Sequence, residues 1–198
     1  WPQPRPPPWD ERMGANPARP VRALAMGAPA GNSHPLAAKL LADDEARTRA
    51  DYIGVGDSRA FAEGCKVAGV SLDLPVWHPG DGDIDLSQGA VIADLGHYEP
   101  GAVERGKASK AGGAFALANF RTVLRLANRG GADAATFTPF NKNAMRLAFP
   151  PYVDEIEVIT AETGAASDGR EFNILGNLWN ARVTSHVPLS GVAELITK

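Results

Sequence analysis

The sequence predicts an α/β protein: a mainly parallel sheet with helices on both faces, in three α/β/α layers. Three observations predict it. From residue 21 onward, short apolar runs alternate with segments of helical spacing. The runs are continuously apolar, as strands covered on both faces are, and lack the in-out alternation of a sheet wetted on one side. The first two runs end in glycine or Gly-Asp just before a helical segment, which is the joint of a β-loop-α-β unit.

The first twenty residues, "WPQPRPPPWDERMGANPARP", hold seven of the 16 prolines and no periodicity, and read as an extended tail outside a domain of residues 21–198. The domain opens with "VRALAMG" (21–27) as a strand, "HPLAAKLLADDEARTRA" (34–50) as helix and "DYIGVGD" (51–57) as the next strand. A helix near 58–69 follows, then a strand at "AVIADLG" (90–96). The best-marked helix lies near 109–129. Its Phe115, Ala118, Val123, Leu126 and Ala127 recur at spacings near three or four, and "RGGAD" closes it at a glycine. "AATFTPF" (134–140) reads as a buried strand, "NKNAMRLAF" and "DEIEVITAETG" as short helices, and "ARVTSHVPL" (181–189) as a strand that Pro188 ends. A last helix starts at Ser190.

Composition narrows the function classes. At 198 residues, with 44% hydrophobic and 22% charged residues and a net charge of −3, the chain has an ordinary globular balance and no basic stripe for nucleic acid or an anionic membrane. No apolar stretch approaches the roughly 18 residues of a membrane span. The single cysteine, Cys65, reads as a small apolar helix residue, and a cytoplasmic protein is expected.

Candidate chemistry clusters where strands end. The loop "GAPAGNSHP" (27–35) sits where α/β proteins hold phosphates, although it matches neither G-x-G-x-x-G nor a P-loop, and a tight glycine-proline turn explains it better. His34 reads as an exposed helix start. "TFTPFNKNAM" (136–145) delivers Thr138, Asn141 and Lys142 together at a strand's C-terminal edge, a place for a phosphate or carboxylate. Asp154 and Glu155 in "YVDEIEV" suit a base or metal ligand, or simply a solvated helix start. His78 and His97 sit in turn-rich stretches and read as surface residues. His186 points with the polar set of its strand, and pattern alone makes it a strand-end histidine with one hydrogen bond. There is no H-E-x-x-H, cysteine cluster or G-x-S-x-G, so zincin and serine hydrolase chemistry has no local support.

Taken in order, "ALAMGAPAGNSHPLAAKLL", "YIGVGD", "GGAFALANF", "GADAATFTPFNKNAM" and "EFNILGNLWNARVTSHVPL" resemble the blocks of the 4-hydroxythreonine-4-phosphate dehydrogenase family, from about residue 21 to the last. The resemblance implies a fold of the isocitrate/isopropylmalate dehydrogenase type and a homodimer with active sites between subunits. It implies NAD- or NADP-dependent oxidation and decarboxylation of a small 4-phosphorylated hydroxy acid, aided by a divalent metal such as zinc, magnesium or cobalt. On the family's Thr-Thr-His-hydrophobic-Pro-Leu segment the metal-ligating histidine falls on His186. The lysine of its Pro-x-Asn/His-Lys segment falls on Lys142, which implies a role there toward the substrate's anionic group.

This chain also departs from the family. Ala28 stands where the family's first loop has aspartate, and Asn32, Ser33, His34 and Pro35 replace Ile-Gly-Pro-Glu. "VDEI" (153–156) replaces the family's Gly-His-Thr-Glu, with Asp154 and Glu155 nearest its substrate-contacting histidine and threonine, and the branch that acts on 4-phospho-D-threonate or erythronate is similar in carrying Asp-Glu here. Family chains continue past this point, with two further metal histidines and much of the nucleotide site. A third expectation is therefore a catalytically incompetent fragment that survives as a folded or dimerising module.

Overall fold

The structure is a computed structural model describing residues 19–165, 169, 171–184 and 187–196. It divides into two compact units after Asp154.

The first unit is a five-stranded parallel sheet, ordered β3-β4-β2-β1-β5, with helices on both faces. Its strands are β1 (Val21–Ala25), β2 (Asp51–Gly56), β3 (Val76–Trp77), β4 (Ala90–Asp94) and β5 (Ala134–Phe137). Its helices are α1 (Ser33–Ala42), α2 (Asp44–Arg49), α3 (Ser58–Ala68), α4 (Lys110–Asn128) and α5 (Lys142–Ala148). In register, Ala23 of β1 lies between Ile53 of β2 and Ala135 of β5.

Strand alternation divides the core. Leu24, Tyr52 and Ile92 face one side and bury against Ala37, Ala38 and Leu41 of α1 and Phe61 and Cys65 of α3. Cys65 is thus a small core residue, as its helical setting predicts. Ala23, Ile53, Val55 and Ala93 face the other side, which α4 covers with the fully buried Phe120 and Val123.

Helix boundaries follow local chemistry. The stretch read as one helix over 34–50 breaks at Asp43, whose carboxylate accepts from the Ala46 amide at 3.2 Å and starts α2 afresh. Ser109 opens α4 by accepting from the Gly112 amide at 3.1 Å. Past its end Gly130 takes φ 81°, the left-handed closure expected of "RGGAD".

Two glycines set helix spacing. A Cβ on Gly64 of α3 would stand 2.6 Å from the Cβ of His34, and one on Gly113 of α4 would stand 1.9 Å from the Ala144 carbonyl oxygen. Glycine therefore lets α1 approach α3, and α5 approach α4, closer than any other residue allows.

Two expectations change here. β5 is not a buried strand: among the described residues it is an edge paired only to β1, with Phe137 44% exposed. His34 is not exposed at its helix start, because the close packing at Gly64 leaves it 2% accessible.

The second unit contains α6 (Glu155–Thr163), a hairpin of β6 (Phe172–Leu175) and β7 (Leu178–Ala181), and α7 (Val192–Leu195). The hairpin turns on Gly176 and Asn177, with Gly176 at φ 56°. The strand expected over 181–189 thus starts and ends earlier: β7 closes at Ala181, and Arg182, Val183 and Thr184 lie outside any strand. His186 lies outside the described residues. Among the described residues no helix is long and apolar enough to cross a membrane.

Candidate functional site

In an open parallel sheet, ligands bind beyond the carboxyl ends of strands where the chain reverses its direction of travel. Here that point lies between β1 and β5. From β1 the chain moves outward to β2, then crosses back to place β5 on the other side of β1.

A cleft of about 350 Å³ opens there. Ala28, Ala30, Gly31 and Asn32 line it from the loop after β1, and Pro139, Phe140 and Asn141 from the loop after β5. Gly106, Lys107, Ser109 and Gly112 bring in the start of α4.

The floor is locked by hydroxyls. The Gly27 amide donates to Ser33 Oγ at 2.5 Å and to Thr138 Oγ1 at 3.1 Å. The two hydroxyls also hydrogen-bond each other, and Thr138 Oγ1 donates to the Ala25 carbonyl at 3.3 Å. All of this is buried, so each polar atom needs the partner it has. A Cβ on Gly27 would lie 2.4 Å from the Pro139 carbonyl oxygen, which is why the β1 and β5 loops can meet.

The walls favour an anion. Neither α1 nor α4 carries an acidic residue in its first turn, and Asn32 makes no side-chain cap on α1. The starts of α1 and α4 therefore bring positive dipole ends to the cleft, with the Gly112 amide capped by Ser109. Lys107 lies on the rim, paired to Glu104 at 2.7 Å while remaining 68% exposed. The Gly106 amide donates to the Ala30 carbonyl at 2.8 Å, tying the loop before α4 to the loop after β1.

Beside the cleft, the carboxylates that end β2 and β4 are consumed internally. Asp57 is fully buried and accepts from the Arg59 amide at 3.0 Å, from Arg59 Nη2 at 2.8 Å and from the Tyr98 amide at 2.9 Å. Burial pushes its pKa up, but these donors outweigh burial and hold it at about 2. Asp94 accepts from Ser58 Oγ at 2.5 Å and from the Gly96 amide at 2.7 Å. Both carboxylates fix the strand ends and the start of α3.

His34 and His97 flank the Phe115 ring at centroid distances of 5.6 and 4.4 Å. Burial lowers the His34 pKa to about 4, against a smaller opposing pull from Asp57. Burial lowers that of His97 as well. Among the described residues neither ring nitrogen of His34 has a hydrogen-bond partner. Of the three described histidines read as surface residues, only His78 is exposed.

The sequence-predicted residues separate accordingly. Thr138 lies beneath the cleft with its hydroxyl in the lock. Asn141 lines the cleft and caps α5 by accepting from the Ala144 amide at 3.0 Å. Lys142 is the exposed first residue of α5. Asp154 ends the first unit and Glu155 opens α6 in the second. The contribution of "GKASKAGG" (106–113) escaped sequence reading, although a serine set three residues before glycine at a helix start is a cap signature.

Comparison with known proteins agrees with this architecture. A protein of Rhizobium meliloti with the provisional name 4-hydroxythreonine-4-phosphate dehydrogenase 2 is 51% identical over 181 residues, covering 91% of this chain and 52% of its own. A Symbiobacterium thermophilum protein, provisionally named D-threonate 4-phosphate dehydrogenase, is 32% identical over 182 residues, covering 91% of this chain and 53% of its own. The crystal structure of a 4-hydroxythreonine-4-phosphate dehydrogenase from Burkholderia phymatum has the same fold. It superposes with a TM-score of 0.74 at 22% identity, over 89% of this chain and 53% of that one. The chain spans about half the length of the relatives it matches. The sequence profile of the pyridoxal phosphate biosynthetic protein PdxA matches residues 49–198, and the chain belongs to that family.

Proposed function

We propose that this chain carries the first half of a nicotinamide-dependent dehydrogenase acting on a small 4-phosphorylated hydroxy acid, and that the cleft between β1 and β5 receives a phosphate group. The observation that supports this is the cleft itself: two helix starts without first-turn acids converge there, with Lys107 on the rim, in a chain of this family. Gly31 and Gly112 add no side-chain bulk to the wall, and a bound phosphate competes there with the Ala28 carbonyl and Ser109 Oγ, which accept from their amides.

The residues divide the work. Backbone amides at the starts of α1 and α4 bind the phosphate, and Lys107 adds charge. Asn141 orients the ligand from the β5 loop, with Thr138 holding that wall in place. Lys142, catalytic in this reading, directs an ammonium toward the substrate's carboxylate. Oxidation of the secondary alcohol moves a hydride from carbon and a proton from oxygen, and the β-keto acid formed then releases carbon dioxide. NAD or NADP, when bound, supplies the hydride acceptor. Among the described residues no group of three or more His, Cys, Asp and Glu side chains is placed to hold a metal ion. His186 is the metal-ligand candidate. A homodimer in the cytoplasm is the expected setting.

A second reading, dehydrogenation of 4-phospho-D-threonate or erythronate, is favoured by one observation. Asp154 and Glu155 stand where the first substrate class is met by Gly-His-Thr-Glu, and a relative of that name is 32% identical.

The test is absorbance of reduced cofactor at 340 nm. The chain is incubated with NAD or NADP, zinc or magnesium, and either 4-phosphohydroxy-L-threonine or 4-phospho-D-threonate. Turnover of one substrate identifies the branch. Flat traces with both, beside an active full-length relative, would leave the chain as a folded module without the activity.

A further inference from the structure

Met26 lies one residue past β1, and its carbonyl accepts from Asn119 Nδ2 of α4 at 2.7 Å. Both residues are fully buried, so the contact depends on no exposed surface. The next residue, Gly27, places its amide in the Ser33–Thr138 hydroxyl lock, and Ala28, Ala30 and Gly31 then line the cleft. Ser109 and Gly112 line it from the start of α4. Asn119 stands two turns along the helix from Gly112, about 10 Å. Its bond to Met26 thus sets how far the α4 start stands from the β1 loop.

α4 otherwise buries side chains such as Phe115, Phe120 and Val123, and a carboxamide among them costs free energy unless its polar atoms are paired. Half of it is paired. Asn119 Oδ1 is buried without a hydrogen-bond partner, and so are both ring nitrogens of His97. These groups are neighbours. The His97 imidazole lies flat on Phe115, one turn before Asn119, with 4.4 Å between ring centroids and 9° between planes. Burial lowers its pKa, while the Phe115 carbonyl, Asp57, the Asn119 side chain and Asp94 pull the other way. A neutral imidazole still carries one N–H. Turned to Asn119 Oδ1, that N–H satisfies both groups and fixes the carboxamide with its nitrogen toward Met26.

We propose that His97 and Asn119 are a positioning pair for the β1/β5 cleft: His97 holds the carboxamide by its oxygen, and Asn119 Nδ2 holds the end of β1, so that the Gly31 and Gly112 walls meet a phosphate together. This role rests on the cleft receiving phosphate. Neither residue lines the cleft, so both act through Met26.

The test titrates inorganic phosphate and 4-phospho-D-threonate into the isotope-labelled whole chain, followed by NMR. In the unaltered chain, Asn119 Nδ2 should show a coupling across the hydrogen bond to the Met26 carbonyl carbon, and the Gly31 and Gly112 amides should shift saturably. Asn119→Ala should weaken phosphate-ester binding roughly tenfold. Val123→Ala, one turn further along α4, leaves a core cavity without touching the bond. It should lower the melting temperature while affinity stays within about twofold. His97→Leu should weaken binding roughly tenfold, and His97→Gln, which keeps a side-chain N–H, should restore most of it. The two His97 variants decide the matter if Asn119→Ala does not fold. Unchanged affinity in Asn119→Ala, an equal loss in Val123→Ala, or equal losses in His97→Leu and His97→Gln would each overturn the positioning role while leaving the cleft as a phosphate site. An unaltered chain that binds neither probe at millimolar concentration would overturn the phosphate site itself, and the positioning role with it.

Discussion

Ser33 and Thr138, 105 residues apart, join hydroxyls over the Gly27 amide and so tie the β1 loop to the β5 loop beneath the cleft. Thr138→Val keeps the side-chain shape but removes a buried hydroxyl bonded to Ser33, the Gly27 amide and the Ala25 carbonyl, leaving the Gly27 amide with Ser33 Oγ alone. It should lower unfolding free energy by about 1–3 kcal/mol in urea titrations. Because both hydroxyls serve one amide, the loss for Thr138→Val with Ser33→Ala should differ from the sum of the single losses by about 0.5 kcal/mol or more.

Gly113 lets α5 press against α4. Gly113→Ala places a methyl 1.9 Å from the Ala144 carbonyl oxygen, so the helices must separate. A loss of about 1–3 kcal/mol is expected. Gly112 and Ala144 line the cleft, so phosphate-ester affinity should fall along with thermal stability. The parallel readouts are calorimetric unfolding and ligand titration.

His34 makes the fold acid-sensitive. Its pKa is about 4 in the folded chain against 6.5 when exposed, so the unfolded state binds the extra proton first as pH falls. The stabilisation is complete above about pH 6.5, declines between 6.5 and 4, and is spent below 4. It amounts to about 3 kcal/mol. His34→Gln should flatten the pH dependence of the urea midpoint across that window, while the midpoint at pH 8 changes less.

These effects mark where sequence and structure part. The order of strands and helices is written in the alternation of apolar runs and helical spacing, and the glycines of "RGGAD" announce the end of α4, while the Ser109 cap at its start was passed over. Burial of His34 is not written there. It depends on Gly64, thirty residues on, opening space for α1, and a pattern read one segment at a time cannot couple the two. Thr138 falls at the predicted strand end, but whether its hydroxyl faces ligand or neighbour depends on Ser33, which only the fold brings near. The hairpin was passed over, although Gly176-Asn177 between apolar runs is a two-residue turn signal. The alternation farther along, in "ARVTSHVPL", drew the strand boundary past Ala181. β3 has only two residues, Val76 and Trp77, too few for any periodicity.

Lys142 stands exposed at the start of α5, so its removal should cost little stability. Lys142→Ala should raise the KM for the phosphorylated acid, or lower kcat, by roughly tenfold or more if the ammonium meets the substrate carboxylate. Steady-state kinetics with Lys142→Arg beside it separates charge from geometry, since arginine restores charge without the same reach.

The central claim is that the cleft between β1 and β5 binds phosphate through helix starts and Lys107. It is tested most directly by following backbone amide NMR signals while 4-phospho-D-threonate or 4-phosphohydroxy-L-threonine is added. Saturable shifts at Gly31, Asn32, Lys107 and Gly112, weakened roughly tenfold by Lys107→Ala, are the predicted result. Silent amides at these four positions while signals elsewhere saturate would contradict it.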